Sequence, residues 1–371
     1  MSVLITGANG FIGKNLQIRL REELIEYETF TRSDSLSSLK EKVTRAKFIV
    51  HLAGVNRPED DAEFLEGNTN LSRRLAELAK ECGNQCPIIF SSSIQAGRNN
   101  PYGDSKRMAE DAFDALAESN GNTILNYRLP NVFGKWCKPN YNSAIATFCF
   151  NIAHDLPINI HDPDHVVNLV YVDDVVNEFI KVIKSYNVDQ GEVRLGVRVE
   201  PVYQAKVGEL AELLYSFKQS RETHITERVG TGLVRALYST YISYYEPEQF
   251  SYSLKKHEDP RGVFVEMLKT KDSGQISFFT AHPGVTRGGH YHHSKNEKFL
   301  VIQGTAKFKF RNIHTDETYE LITQGDEPRV VETVPGWSHD ITNIGKEDMR
   351  VLLWANEIFD PEMPDTIAHK V

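Results

Sequence analysis

Residues 284–304 read GVTRGGHYHHSKNEKFLVIQG, and this stretch sets the class of the second half of the chain. His290 and His292 stand two apart, Glu297 follows five residues later, and Gly304 closes the run. Alternate side chains of a strand share a face, so imidazoles at this spacing can point at one ion. A carboxylate past a short turn and one more distant imidazole would complete a nitrogen and oxygen ligand set. His293, on the opposite face, is a bystander. Around this stretch, short apolar runs at 275–279, 298–302, 305–310, 319–322, 329–333, 341–344 and 349–355 alternate with turns. That pattern, with no convincing long helix, predicts an all-β sandwich or barrel.

The first half reads differently. An apolar run at 3–6 passes into Gly7-Ala-Asn-Gly10-Phe11-Ile12-Gly13 and then an amphipathic segment to about 23. Strand, glycine turn and helix in this order let backbone N–H groups approach a pyrophosphate at the helix start. A strand at 29–32 ends in Arg32 and Ser33, where an acidic residue would hold the ribose of NAD. Arg suits a 2′-phosphate, which favours NADPH, while Asp34 beside it keeps NADH open. A strand at 48–52 closes on Leu52-Ala53-Gly54, a helix spans 63–82, and a strand at 88–90 ends in Ser91, Ser92 and Ser93. A helix opens at Tyr102 and the next strand covers 123–128. This alternation predicts a doubly wound parallel sheet.

Tyr102 and Lys106 sit at i and i+4 on that helix, so an ammonium can lower a phenol's pKa toward neutrality. A phenol so tuned can protonate a carbonyl oxygen as hydride arrives at its carbon, with a serine from the preceding strand bonding the same oxygen. Next come Asn131 and the loop 134–143, where Lys135 and Lys138 could meet a diphosphate and Trp136 or Tyr141 could stack on a base or sugar. Asp173 and Asp174 are expected as helix N-caps. The Tyr-rich 238–247 reads as a join without patterning, which puts the boundary near 245: domains 1–245 and 246–371.

Composition bounds the partners. Of 371 residues 40% are hydrophobic and 25% charged, an ordinary globular balance long enough for two domains. A net charge of −9 argues against a nucleic-acid or acidic-membrane partner. Cys82, Cys86, Cys137 and Cys149 lack a zinc-knuckle or secreted spacing and are expected as free thiols. With neither a leader nor a membrane-length apolar run, the cytoplasm is the expected compartment.

Residues 1 to about 240 resemble an extended short-chain dehydrogenase/reductase, through Gly7, Gly10 and Gly13, His51-Leu52-Ala53-Gly54, Ser91-Ser92-Ser93, Tyr102 with Lys106, and Arg128-Leu129-Pro130-Asn131. The resemblance implies a Rossmann-like fold with Ser93 and Tyr102 as catalytic groups and Lys106 on the nicotinamide ribose. Asn131 would open the substrate pocket. The short Ser93-to-Tyr102 interval keeps Ser92 as the alternative serine. Residues 284–304, with Gly336-Trp-Ser-His339 and Asn343 after Pro335, resemble the two motifs of the cupin family. That likeness implies a jelly-roll barrel with His290, His292, Glu297 and His339 on a metal, zinc first among the candidates. Asp259-Pro-Arg261-Gly262 resembles the opening of cupin sugar epimerases and suggests Arg261 for a diphosphate.

The pairing of the two resembles bifunctional enzymes of capsular polysaccharide synthesis. These imply a UDP-linked 4-keto-6-deoxy amino sugar as substrate, epimerised at carbon 3 and reduced at carbon 4 by NADPH to the L-talose product, on the route to UDP-N-acetyl-L-fucosamine. A homodimer is the commonest arrangement for such a chain. Three other readings stand beside it: a 4-reductase with a structural or regulatory cupin, a non-enzymatic nucleotide-sensing module with a metal-binding barrel, and a 4-epimerase or dehydratase holding NAD tightly.

Overall fold

The structure, a computed structural model, describes residues 2–56, 60, 62–186, 198–250, 252–292, 295–313, 315–334 and 336–371. His293 and Pro335 therefore lie outside the described residues. The chain forms two compact units: Met1–Leu214 with Arg235–Tyr245, and Tyr215–Val234 with Glu246–Val371. The expected single boundary near 245 did not foresee that Tyr215–Val234 counts with the second unit.

In the first unit, β1 (Val3–Thr6), β2 (Tyr27–Phe30), β3 (Phe48–His51), β4 (Ile88–Ser93) and β5 (Ile124–Leu129) form a parallel sheet in the order β2-β1-β3-β4-β5. Parallel strands are covered on both faces, so they read as continuous apolar runs. Val3, Ile5, Ile49 and Val50 are accordingly fully buried. Helices α1 (Phe11–Glu22), α2 (Leu36–Arg45), α3 (Ala62–Phe64), α4 (Leu71–Glu81) and α5 (Pro101–Asn120) alternate with these strands. Leu39, Val43, Leu75, Leu78, Ala109 and Phe113 project from them into one core with Ile49, Ile88 and Phe90.

Between α3 and α4 the expected continuous helix loosens into a π-helical stretch, Leu65–Asn70. α5 begins where Asn100 accepts the Gly103 N–H at 2.8 Å with Pro101 behind it, and ends at Gly121 in the left-handed region. β6 (Asn131–Phe133), α6 (Ala144–Ala153), β7 (Val166–Tyr171), α7 (Val172–Ser185), β8 (Tyr203–Lys206) and α8 (Val207–Thr223) follow, with β6-β7-β8 a small sheet of their own.

In the second unit, β9 (Ile225–Thr226) precedes α9 (Gly232–Ile242), a helix whose later part returns to the first unit. The expected unpatterned join begins inside α9: Ala236, Leu237, Thr240 and Tyr241 are buried at helical spacing. Tyrosines among them hid the period, because Tyr serves a core and a surface equally well.

The strands β10 (His257–Asp259), β11 (Gly262–Thr270), β12 (Gly274–Ala281), β13 (Thr286–Tyr291), β14 (Glu297–Gln303), β15 (Thr305–Asn312), β16 (Thr318–Gln324), β17 (Val330–Glu332), β18 (Trp337–Asn343), β19 (Met349–Ala355) and β20 (Ile367–Ala368) build two sheets. One runs β10-β11-β12-β19-β14-β17, with β9 on β11, and the other runs β16-β15-β18-β13-β20. Phe279, Phe299, Val301 and Val351 from the first share a core with Phe308, Phe310 and Ile341 from the second, as in a face-to-face packing. Among the described residues no helix is long and apolar enough to cross a membrane.

Asn343 ends β18 inside this core, fully buried. Its Nδ2 donates to the Ala281 and Glu347 carbonyls at 2.9 and 2.8 Å, and its Oδ1 accepts the Gly345 N–H at 2.9 Å. A carboxylate of the same shape has no proton for the two carbonyls and buries a charge against them. Asn343→Asp is therefore expected to cost at least about 3 kcal/mol at neutral pH, more than Asn343→Ala, as read by denaturant unfolding of the two variants.

Candidate functional site

In the first unit the strand order reverses between β1 and β3, and open α/β sheets bind ligands at the carboxyl ends of strands at such a point. Gly7 leaves β1 there at φ +71°, where a Cβ would lie 2.5 Å from the Ala53 nitrogen. A Cβ on Gly13, in the first turn of α1, would stand 2.4 Å from the Gly7 carbonyl oxygen. Gly10 caps α1 without a side-chain bond, and no acidic residue occupies the first turn beside Phe11 and Ile12. The first N–H groups of α1 are thus left for an anion. The loop Leu52-Ala53-Gly54 faces this turn across the reversal. A cradle that any Cβ would fill, below an uncapped helix start, fits a dinucleotide pyrophosphate.

β2 stops at Phe30, so Arg32 lies in the following turn and not at the strand end as expected. Asp34 closes that turn by accepting the Thr31 N–H at 2.7 Å and the Thr31 hydroxyl at 3.0 Å, and it pairs with Lys42 at 3.0 Å. The backbone bond from Thr31 leads in holding the Asp34 carboxyl below its ordinary range. Arg32 is exposed beside this engaged carboxylate.

The three serines at the end of β4 have three different partners. Ser91 donates to the His51 carbonyl at 3.2 Å, and its own carbonyl accepts from Lys106 Nζ at 3.0 Å. Ser92 donates to buried Glu110, which also takes Arg128 Nε at 2.9 Å and Nη2 at 2.6 Å. Ser93 stands beside the Tyr102 phenol, close enough to lower its pKa, and accepts the Gln95 N–H at 3.2 Å. The choice between Ser92 and Ser93, open in the sequence, is a matter of which neighbour each has: Ser93 is the one that meets Tyr102.

Burial raises the Tyr102 phenol, and the nearby Ser93 hydroxyl offsets part of that rise. The expectation that Lys106 draws Tyr102 toward neutrality is not met, because the ammonium bonds Ser91 instead. Its Nζ stands 6.0 Å from the Tyr102 ring centroid and 5.0 Å from that of Phe90. Desolvation brings Lys106 down to about 8, against the pull of the Glu110 carboxylate. His51 is a structural histidine: its nitrogens meet Thr6 Oγ1 at 2.6 Å and Ser72 Oγ at 2.9 Å, and burial lowers it to about 3.

Sequence reasoning missed Asn68, in the π-helical stretch. Its Oδ1 accepts the Val55 N–H at 2.8 Å, while Nδ2 donates to the Val55 carbonyl at 3.0 Å and to Ser105 Oγ at 2.9 Å. It therefore braces the loop after β3 against α5. It also missed Arg198, which lines a cavity of about 450 Å³ with Ile94, Arg128, Asn168 and Glu200. That cavity opens at the end of β5, next in the chain to Ser93 and Asn131.

Asn131 Nδ2 donates to the Asn168 carbonyl at 3.1 Å. Lys135 pairs with Asp173 at 2.5 Å and lies 5.6 Å from the Trp136 ring centroid, and Lys138 lies 5.3 Å from that of Tyr141. Asp173 and Asp174 occupy the first turn of α7, whose cap is Tyr171, so the expected capping role is corrected to a dipole partner.

In the second unit His290, His292, Glu297 and His339 come together, with one ligand atom of each within 4.8 Å of all the others. His290 on β13 is paired across the sheet with His339 on β18, and Glu297 opens β14 of the facing sheet. His292 Nε2 lies 3.3 Å and His339 Nε2 3.5 Å from Glu297 Oε2. Burial lowers His290 to about 4, so it is neutral and its lone pair is available. Burial alone would raise Glu297, yet His292 and His339 hold its carboxyl far below the usual range. Both His339 nitrogens are buried without a hydrogen-bond partner, an arrangement that costs free energy unless something ligates there. Three imidazoles and a carboxylate with such orphaned atoms fit a divalent metal. Arg261, by contrast, is spent on Asp259, which accepts its Nη2 at 2.6 Å and its backbone N–H at 2.8 Å across the β10–β11 turn.

Comparison with known proteins places this geometry. Residues 3–196 match the NAD dependent epimerase/dehydratase family and residues 257–367 the polysaccharide biosynthesis C-terminal domain. The chain is 56% identical over 372 residues to a UDP-2-acetamido-2,6-beta-L-arabino-hexul-4-ose reductase of Pseudomonas aeruginosa, covering 100% of this chain and 99% of that one. It superposes on the crystal structure of the capsular polysaccharide assembling protein CapF of Staphylococcus aureus with a TM-score of 0.89 at 43% identity, covering 100% of both chains. Over 50% of its length it is 28% identical to a GDP-6-deoxy-D-talose 4-dehydrogenase of Aggregatibacter actinomycetemcomitans, of which it covers 71%.

Lys106 supplies a stability test of the site. Its pKa falls from 10.5 to about 8 on folding, so the unfolded chain holds that proton more tightly than the folded one. The resulting penalty is full below pH 8 and fades as the pH rises to 10.5, and it amounts to roughly 3 kcal/mol. Lys106→Met is expected to raise the thermal midpoint at pH 7, less the hydrogen bond to Ser91, with the gain shrinking as the pH approaches 10.

Proposed function

Because the chain belongs to the NAD dependent epimerase/dehydratase family, we propose that its two units carry out successive steps on one nucleotide sugar. The chain is an oxidoreductase of polysaccharide biosynthesis that uses a nicotinamide cofactor. Its substrate is a UDP-linked 2-acetamido-2,6-dideoxy-4-hexulose. The second unit inverts carbon 3 and the first reduces carbon 4, giving the L-talose product on the route to UDP-N-acetyl-L-fucosamine. One observation carries the reductase reading: Ser93 stands beside Tyr102, one turn from Lys106, at the strand ends that hold the glycine cradle.

A nicotinamide cofactor bound at the glycine cradle would supply the hydride to carbon 4. As it adds, the π pair of the ketone moves to oxygen, and Tyr102 gives that oxygen its phenolic proton while Ser93 donates a hydrogen bond to it. Lys106, dry and cationic, would hold the ribose and favours return of a proton to Tyr102. Arg198 and Lys138 are the cations available to the diphosphate. NADPH is the proposed form, since Asp34 is engaged with Thr31 and Lys42 while Arg32 is exposed for a 2′-phosphate. Arg32→Ala is expected to raise the KM for NADPH about 10- to 100-fold and to leave that for NADH nearly unchanged, in steady-state assays with each.

For the second unit we propose a cupin-type jelly roll with zinc on His290, His292, Glu297 and His339. A metal there supplies Lewis-acid polarisation of the ketone, which acidifies the hydrogen on carbon 3. The buried ligand set keeps water away and fixes the direction from which the ketone approaches. The two steps separate in deuterated water. Without NADPH, the full chain is expected to place deuterium at carbon 3 of the keto sugar, by NMR. Tyr102→Phe should retain that exchange and lose 10²–10⁴-fold in NADPH oxidation, and His339→Ala should lose the exchange. No deuterium at carbon 3 with the parent chain would leave a 4-reductase with a structural second unit.

A further inference from the structure

The end of the chain returns to the metal-ligand set. β20 adds to β13, pairing Ala368 with His290 and Ile367 with Tyr291. The Asp365 carbonyl oxygen lies 2.5 Å from His292 Nδ1. A carbonyl only accepts, so Nδ1 carries a proton in either charge state and Nε2 is the nitrogen left for a ligand. The Asp365 carboxylate accepts the Lys295 N–H at 2.8 Å, and Thr366 Oγ1 meets Lys295 Nζ at 3.2 Å. That ammonium, buried over the Phe359 ring, stands 3.4 Å from Glu297 Oε1. Oε1 is thereby occupied, and Oε2 is left facing the imidazoles. Ser338, next to His339, donates its hydroxyl to the His369 carbonyl at 2.7 Å, and the His369 N–H donates to the carbonyl of Gly289, next to His290, at 2.9 Å.

Five consecutive residues, Asp365 to His369, thus touch His290, His292 and the chain neighbour of His339, and reach Glu297 through Lys295. We infer that this C-terminal strap is the positioning element of the metal site: it selects Nε2 of His292 and Oε2 of Glu297 as the donors and presses β13 and β18 into ligating register. The inference rests on the metal reading given above. None of its residues is a ligand, and Lys295 acts with it by reaching Glu297 from the other side. Outer partners of this kind orient first ligands and are worth tens of fold in affinity.

The test compares the full chain with a form ending at Pro364 and with the double variant Asp365→Ala, Thr366→Val. Zinc affinity is read by competition with a chromophoric chelator, and thermal midpoints are taken metal-free and zinc-loaded. Both variants are expected to bind zinc about 10- to 100-fold more weakly, the double variant toward the lower figure. The zinc-induced rise in midpoint should shrink with them, which a merely structural strap would leave intact. Folded variants that bind zinc within about twofold of the parent would overturn the inference. Should the shortened chain fail to fold, the double variant decides alone. A parent chain that takes up no zinc would instead overturn the metal reading.

Discussion

The first unit depends on keeping an ammonium dry. Lys106 has 4% of its surface exposed, and it can stay charged there only because specific groups take its protons. The Ser91 carbonyl accepts one, and the Phe90 face lies over the cation. Glu110, one turn further along α5, supplies the opposing charge, and Ser92 and Arg128 satisfy that carboxylate in turn. Space is shared out as tightly. A Cβ on Gly54 would meet Asn68 Oδ1 at 2.7 Å and Lys106 Nζ at 3.3 Å, so the loop after β3 has to be glycine for the lysine to lie there. Burying a charge in this way lowers stability, and the fold tolerates it through the satisfied network around it.

The second unit repeats the arrangement with different partners. Lys295 is buried to 7% exposure beside Glu297, itself at 7%. Lys295 brings one positive charge to the carboxylate, 3.4 Å from Glu297 Oε1. Lys295 adds to the effect of His292 and His339 in holding the Glu297 carboxyl low, just as the Glu110 charge opposes the fall of the Lys106 pKa in the first unit. In both sites the buried charge stands on a strand end or a helix face, and its charge partner sits two or four positions away in the sequence.

What was legible in the chain follows from how local each feature is. The glycine turn, the serine-terminated β4, the Tyr102–Lys106 spacing and the His290–His292 pair are each written within a few residues, and each falls where its spacing placed it except His292, which stands one residue past the end of β13. Glu110 was equally local, four residues after Lys106, yet a lone acidic residue on a helix reads as a solvated face. Its burial arises from Ser92 and Arg128, 18 residues away on either side. Asn68 was hidden because the π-helical stretch shifts the register of a helix whose apolar period looks unbroken. The strap was hidden more deeply: Asp365 and His292 are 73 apart, and nothing in the tail alternates or repeats. The Tyr102 shift was misjudged by weighing a neighbour and not burial, which is the larger effect in a dry pocket.

That misjudged shift bears on the direction of the reaction. An enzyme that first removes hydride from an alcohol needs a phenolate ready to take the hydroxyl proton, and a phenol drawn toward neutrality would serve it. Here burial raises Tyr102, so at neutral pH the residue holds its proton. A held proton is what reduction of a ketone consumes: the oxygen gains charge as hydride arrives and draws the proton across at that moment. Lys106, at about 8, is the nearby group closest to neutral pH and can restore it after turnover. The electrostatics of the first unit are thus those of a proton donor suited to a carbonyl, and the chemistry proposed for the second unit would act on the same functional group before it is lost.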